Sequence, residues 1–260
     1  MKRLVNYEDK FIYVLDNDTN IGNDIKNGIG WESHIRKVFE LILTKTSTLL
    51  DIGSNYGYHS IMVSHICSKI YSFEPQKVLY LLQLESIKRN EITNVKVYNS
   101  LVGSESGLKK LQSVDYSIPQ NFGDITVGED GEVVEVVTID ELEIENVDVI
   151  KIDVQGYEKL VLDGAIKTIR KQKPTLIIEI EEHQLIKHGF CSSDIVKTLK
   201  NLNYFIYQIE SEYPSDYLCI HENRMEFFYD RCKNKISNVL EKNKINTTFE
   251  CGVIEKIELK

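Results

Sequence analysis

The sequence predicts an α/β domain on a mostly parallel seven-stranded sheet, with helices on both faces and an antiparallel edge strand. Three observations carry this. Strand-like runs near 48–53, 70–74, 95–102, 147–154, 175–181, 204–210 and 218–221 are mostly separated by stretches of helical periodicity. Several runs are apolar almost throughout, as in Leu176-Ile177-Ile178, which suits strands covered on both sides. Finally, Thr48-Leu49-Leu50-Asp51-Ile52 breaks into a DxGxNxG loop, Asp51 to Gly57, that runs into a helical pattern.

Taken in order, Trp31, Ile35, Val38, Phe39 and Ile42 recur at helical spacing, giving an amphipathic helix before the first of these strands. The clearest helix follows Val154, with Tyr157, Leu160, Val161, Gly164, Ala165 and Thr168 on one face. Thr138 and Glu141 spell a capping box, which gives Asp140 a helix-start role. The runs around Tyr204 and Leu218 read as a hairpin-like pair closing one edge. Lys109 to Glu135 is polar, carries Gly123, Gly128 and Gly131, and reads as a long loop or β-excursion able to cover a site. Residues 1–230 are expected to form one domain. The segment 231–260, rich in lysine, asparagine and glutamate, reads as an extension packed on that domain or trailing from it.

A chain of 260 residues with 42% hydrophobic content can bury one sizeable core. Its net charge of -9 argues against a generic nucleic-acid surface, which needs clustered lysine and arginine. The five cysteines form no CxxC pair, so neither a zinc site nor a disulfide framework is expected. No apolar run approaches a membrane span and the first residues lack a signal-peptide core, so the expectation is a soluble, cytoplasmic protein.

In the DxGxNxG loop, Gly53 permits a tight turn and Gly57 a close backbone approach to a ligand held at helix-terminal amides. The plain alternative is that Asp51 and Gly53 only build a strand-to-helix turn. Ile70-Tyr71-Ser72-Phe73-Glu74 adds a second strand whose acidic end falls about twenty residues beyond the loop, where Rossmann-type sites hold ribose hydroxyls. The GxGxxG fingerprint of dinucleotide dehydrogenases is absent, and Asp51 would repel a pyrophosphate. S-adenosylmethionine, with its ammonium and sulfonium groups, fits better than NAD.

The order and spacing of several blocks across 21–229 resemble the FkbM-type S-adenosylmethionine-dependent methyltransferases, a class I methyltransferase family. These blocks are Trp31-Glu32, DIGSNYGYHS from Asp51 to Ser60, Phe73-Glu74-Pro75, Asn90 and Asn94, Val137 to Leu142, IKIDVQGYEKLVLDGA from Ile150 to Ala165, and Lys173-Pro174-Thr175 through Glu179. The resemblance implies a Rossmann-like class I fold. It also implies that Asp51, Gly53, Asn55 and Gly57 surround the methionine end of the cofactor, with Ser54 and Pro75 in the same binding set. Glu74 would accept both ribose hydroxyls, while Ser100, Leu101 and Val102 border the adenine. Two positions depart from the family pattern: Gln155 stands where glutamate is usual in a DVEGxE motif, and Ser54 replaces the commoner alanine.

Methyl transfer to a hydroxyl is an in-line displacement, and near neutral pH the alcohol needs a base or a metal to remove its proton. Asp153, Glu179 and His183 are the catalytic candidates, near the C-terminal edge of the sheet where α/β proteins place ligands. A divalent ion held by Asp153 and Glu179 is a further expectation. Against these stand plainer roles: a helix N-cap for Asp153, a solvated helix start for Glu181 and Glu182, packing or cofactor contact for His59. The resemblance implies that the acceptor is a hydroxyl of a sugar, glycan or related small metabolite. Competing readings are an RNA 2′-O-methyltransferase, opposed by chain order and acidic balance, and a non-catalytic cofactor-binding scaffold.

Overall fold

The computed structural model describes residues 1–209, 215–232 and 255–257. It opens with an antiparallel hairpin, β1 (Lys2–Tyr7) and β2 (Lys10–Leu15), followed by helices α1 (Ile21–Lys26) and α2 (Ser33–Ile42). Alternation then begins: β3 (Thr48–Ile52), α3 (Tyr58–Val63), β4 (Lys69–Phe73), α4 (Lys77–Arg89) and β5 (Val95–Tyr98). A β-rich excursion follows, β6 (Ser100–Val102), β7 (Gly107–Leu111), β8 (Val127–Gly128) and β9 (Val133–Val137). The second half runs β10 (Val147–Ile152), α5 (Glu158–Gly164), α6 (Ile166–Gln172), β11 (Thr175–Glu179), α7 (Glu182–Lys187) and α8 (Ser192–Asn201). It ends in β12 (Tyr204–Ile209), β13 (Asp216–His221), α9 (Met225–Cys232) and the short β14 (Glu255–Ile257).

The main sheet has the order β14-β12-β13-β11-β10-β3-β4-β5 and is parallel except for β13, which is antiparallel to both of its neighbours. The seven strands from β12 to β5 are those the sequence pattern predicts. The antiparallel strand, expected at the edge, lies two places in from it, inside β14 and β12. The stretch between β12 and β13 is too short for the crossover a parallel pair requires, and β13 folds back into the gap between β12 and β11. The sheet is covered on both faces, so alternate residues of one strand enter different cores. Leu50, Ile52, Ile150, Ile152, Leu176 and Ile178 pack with Val161, Ile169 and Leu199 of α5, α6 and α8. Leu49, Val149 and Ile177 point the other way, against Ile35, Val38 and Phe39 of α2. That double burial is why these runs are apolar throughout.

Four local features differ from the sequence pattern or add to it. The run 95–102 is two strands in two sheets, divided at Asn99, whose side-chain amide donates to the carbonyls of Glu74 and Pro75 at 3.0 and 2.8 Å. The polar stretch after it is a β-excursion: β6, β9, β7 and β8 form a four-stranded sheet of their own. Asp140 begins no helix; its carboxylate accepts the backbone N–H groups of Lys167 and Thr168 and so holds the start of α6. The N-terminal hairpin, absent from the predicted elements, is tied to α4 by Asn90, whose side chain pairs with both the N–H and the C=O of Phe11. Of the expected C-terminal extension, only the end of α9 and β14, parallel to β12, fall within the described residues. No helix among the described residues is long and apolar enough to cross a membrane.

Candidate functional site

A cleft of about 690 Å³ opens at the C-terminal ends of β3, β4, β10 and β11, the place where open parallel sheets leave room for ligands. Gly53, Asn55, Glu74, Pro75 and Val102 line it, as do Asp153, Gln155, Glu179 and His183. Gly53 has φ +80°, and a Cβ there would lie 1.8 Å from the Asp153 carbonyl oxygen. Only glycine lets the loops after β3 and β10 meet at this point.

Asp51, Ser54 and Gly57, expected beside the cofactor, are not among the residues that line the cleft; they build the loop from behind. Gly57 has φ +73°, and what approaches it closely is Gln83, 2.5 Å from a Cβ built there. The Ser54 hydroxyl lies 3.3 Å from the Phe73 carbonyl oxygen and 3.2 Å from Gln83 Oε1. Asp51 Oδ2 accepts the Ser60 hydroxyl at 2.6 Å, while Oδ1 is buried without a hydrogen-bond partner among the described residues.

Glu74 is buried at the cleft wall, and its two oxygens accept the backbone N–H groups of Asn55 (2.9 Å) and Gln76 (2.7 Å). Burial pushes its carboxyl up to about 7, against the pull of those two hydrogen bonds and with the help of like charge on Asp51 and Asp153. Each oxygen keeps a second lone pair for an incoming donor.

Behind Asp153 stands Lys151, beside Asp51 across the β3–β10 pairing. Its Nζ donates to Asp153 Oδ2 at 2.9 Å. Burial works against the ammonium, but Asp153, Glu32 and Asp51 outweigh it and hold Lys151 well above its ordinary value. Glu32 answers in kind: burial would raise it, yet Lys151, His59 at 2.8 Å and His34 bring it down to about 2. Glu179 has no such cation among the described residues. Burial, then like charge on Asp153, Asp216, Glu181 and Glu32, drives it far above the usual carboxylate range.

Gln155 joins the two acids, its Nε2 lying 3.3 Å from both Asp153 Oδ1 and Glu179 Oε2. Its Oε1 accepts from Gln184 Nε2 (2.9 Å), and Gln184 Oε1 accepts from Lys187 Nζ (2.6 Å). With an ammonium at one end and a carboxylate at the other, both amides have a fixed direction. The expected divalent ion between Asp153 and Glu179 therefore does not fit: a cation needs lone pairs where Gln155 presents N–H. No group of three or more His, Cys, Asp or Glu among the described residues is arranged to hold a metal.

Asp153 is not a helix cap, since α5 has no side-chain cap; the Val154 and Gly156 N–H groups go instead to Glu158 Oε1, at 3.2 and 3.0 Å. Glu181 and Glu182 do start α7. His183 reaches the cleft with 68% of its side chain exposed, 3.4 Å from Glu181 Oε2. Sequence reasoning missed one pair altogether. His34, in the first turn of α2, and Asp216, at the start of β13, both line the cleft, and His34 Nε2 lies 2.6 Å from Asp216 Oδ2. Trp31-Glu32 flagged the neighbourhood of His34, whereas Asp216 carries no local signal and joins the site only through sheet topology.

The donor set fits S-adenosylmethionine. An acidic lining favours a ligand bearing ammonium and sulfonium charge, and Glu74 turns two acceptor oxygens toward a pair of hydroxyls. Sheet, loop and cleft together define a Rossmann-like α/β domain of the class I methyltransferase type. A family model described as the methyltransferase FkbM domain matches residues 51–206, and the chain belongs to that family of S-adenosylmethionine-dependent methyltransferases. Among solved structures it is similar to the methyltransferase FkbM from Methylobacillus flagellatus KT, at 16% identity and a TM-score of 0.49 over 68% of this chain. The chain spans 44% of the length of that structure. A Streptococcus mutans protein assigned as a methyltransferase, in complex with SAH, matches at 15% identity and a TM-score of 0.44, covering 72% of this chain and 94% of that one. An rRNA methylase from Streptococcus thermophilus matches at 12% identity and a TM-score of 0.45, covering 74% and 95%. No curated protein matches the chain.

Proposed function

We propose that this protein transfers a methyl group from S-adenosylmethionine to a hydroxyl of a sugar, glycan or related small metabolite. The observation that carries the reading is the acidic cleft with Glu74 at the end of β4. When bound, the cofactor supplies an electrophilic methyl on a sulfonium. Glu74 holds the ribose, Gly53, Asn55 and Pro75 border it, and Val102 flanks the base. Asp153, paired with Lys151, stabilises positive charge in the cleft, and Glu179 with Gln155 offers hydrogen bonds that orient the acceptor oxygen. His183 contacts the acceptor from the rim.

Neutral or cationic acceptors rich in hydroxyls suit this lining, since Asp24, Asn121, Asp124 and Gln184 also face the cleft and pair with hydroxyl donors. Phosphate does not suit it: the same carboxylates repel an RNA backbone. Calorimetry with S-adenosylmethionine and its demethylated product, then methyl release over a panel of glycans, amino sugars and capped RNA, tests the reading. Transfer to a glycan or small hydroxyl compound supports it. Transfer to capped RNA alone, or binding without turnover on any acceptor, refutes it, the latter in favour of a scaffold.

A further inference from the structure

The acceptor hydroxyl needs a base, and each expected candidate is compromised. Asp153 is tied to the Lys151 ammonium and to Gln155, so a proton taken up there would have to enter an existing ion pair. Glu179 bonds Gln155 and lies among Asp153, Asp216 and Glu181, whose like charge together with burial favours its neutral form. His183 is mostly in water, where a proton transfer gains least from the site. We propose that His34 is the general base, with Asp216 as its positioning residue; this rests on the hydroxyl-methylation reading above.

The pair has the parts such a role requires. Both side chains line the cleft and are largely shielded, 17% and 10% exposed. Asp216 Oδ2 takes Nε2 at 2.6 Å. Nδ1 has no hydrogen-bond partner among the described residues and is not sealed from solvent. A carboxylate on Nε2 fixes the Nε2–H tautomer, which leaves the Nδ1 lone pair free for the acceptor. Ile35, Val38 and Phe39 bury the same helix in the core, so the imidazole is mounted on a rigid element. In the reaction the acceptor O–H bond breaks and an Nδ1–H bond forms. The oxygen's electron pair becomes the bond to the transferred methyl, and the pair of the broken carbon–sulfur bond stays on sulfur. Asp216 faces the imidazolium until its proton passes to water.

Nitrogen-15 NMR of histidine-labelled protein tests the geometry without cofactor or acceptor. At a pH where His34 is neutral, its proton should sit on Nε2, and Asp216→Asn should move it toward Nδ1; a proton on Nδ1 in the unaltered protein overturns the proposal. Kinetics then test the chemistry. His34→Ala should keep affinity for the demethylated cofactor within about threefold and lose at least about a hundredfold in turnover, and added imidazole should restore part of the loss. His34→Gln, which keeps bulk and polarity, should be equally slow. Turnover within about threefold of the unaltered enzyme in either variant, or loss in His34→Ala that imidazole cannot restore, excludes the role. An unaltered protein that binds cofactor yet methylates no hydroxyl removes the functional reading and the base with it, a result separate from the NMR outcome.

Discussion

Replacing Glu74 with glutamine removes one charge from the cleft while keeping the shape of the side chain. The rise of the Glu74 carboxyl from 4.5 to about 7 corresponds to roughly 3 kcal/mol spent on keeping it ionised in the empty cleft, at about 1.36 kcal/mol per pH unit. A ligand offering two hydroxyl donors binds the ionised form, so binding and deprotonation are linked. The sign follows: the carboxylate is present above about 7 and lost below it. Affinity of the unaltered protein for the demethylated cofactor should therefore level off above about pH 8 and fall by up to about tenfold per pH unit below about 7. Glu74→Gln should bind about 10- to 100-fold more weakly on the plateau, the loss of charge-assisted hydrogen bonds worth about 1.5–3 kcal/mol. It should also lack the acid limb. Calorimetry from about pH 5.5 to 8.5 reads both, with circular dichroism to verify folding. An unaltered protein whose affinity is flat over that range, or a variant within twofold of it on the plateau, refutes the assignment of Glu74 to the ribose.

Burial pushes Glu158 up to about 7 as well, against hydrogen bonds from backbone N–H groups. Its folded-state value lies above the unfolded one, so its contribution to stability is complete below about 4.5 and lost as pH rises through 7. Glu158→Gln should flatten the fall in melting temperature between about pH 5 and 8, by an amount equivalent to at most about 3 kcal/mol; thermal melts in both proteins decide it. Gly53→Ala places a methyl against the Asp153 carbonyl at a left-handed backbone position and should cost at least about 2 kcal/mol, read as a lower urea midpoint, with cofactor binding lost. Lys151→Met strips the cation from buried Asp51 and half-buried Asp153 and Glu32 and should destabilise by about 3–5 kcal/mol at neutral pH. Partial recovery as the pH is lowered in denaturant titrations would follow from protonating those acids.

Strands β3, β4, β10 and β11 were legible because each is buried on both faces, which leaves runs that are apolar apart from a few positions such as Asp51 and Lys151. Loop glycines were legible too, but not what they touch: Gly57 reads as ligand-facing, and only the packing of α4 shows that Gln83 occupies its bare side. The run 95–102 hides a change of sheet, because Asn99 acts through bonds to residues 74 and 75 that no local pattern encodes. The hairpin at the start of the chain was missed because most of β1 faces solvent and its anchor, Asn90, lies far along the sequence. His34 and Asp216 illustrate the general limit. Each looks like an ordinary surface polar residue, and their meaning comes from β13 folding back beside β11, a long-range event set by topology.

The contact between Gly53 and the Asp153 carbonyl makes the two loops a single mechanical part. A shift of the β10 loop to admit a bulkier acceptor must drag the loop after β3 with it, so tightness at one substrate trades against freedom at the other. Variants selected for new acceptors should then show altered cofactor affinity even when every changed residue lies on the acceptor side, and order of binding becomes a property of the backbone itself.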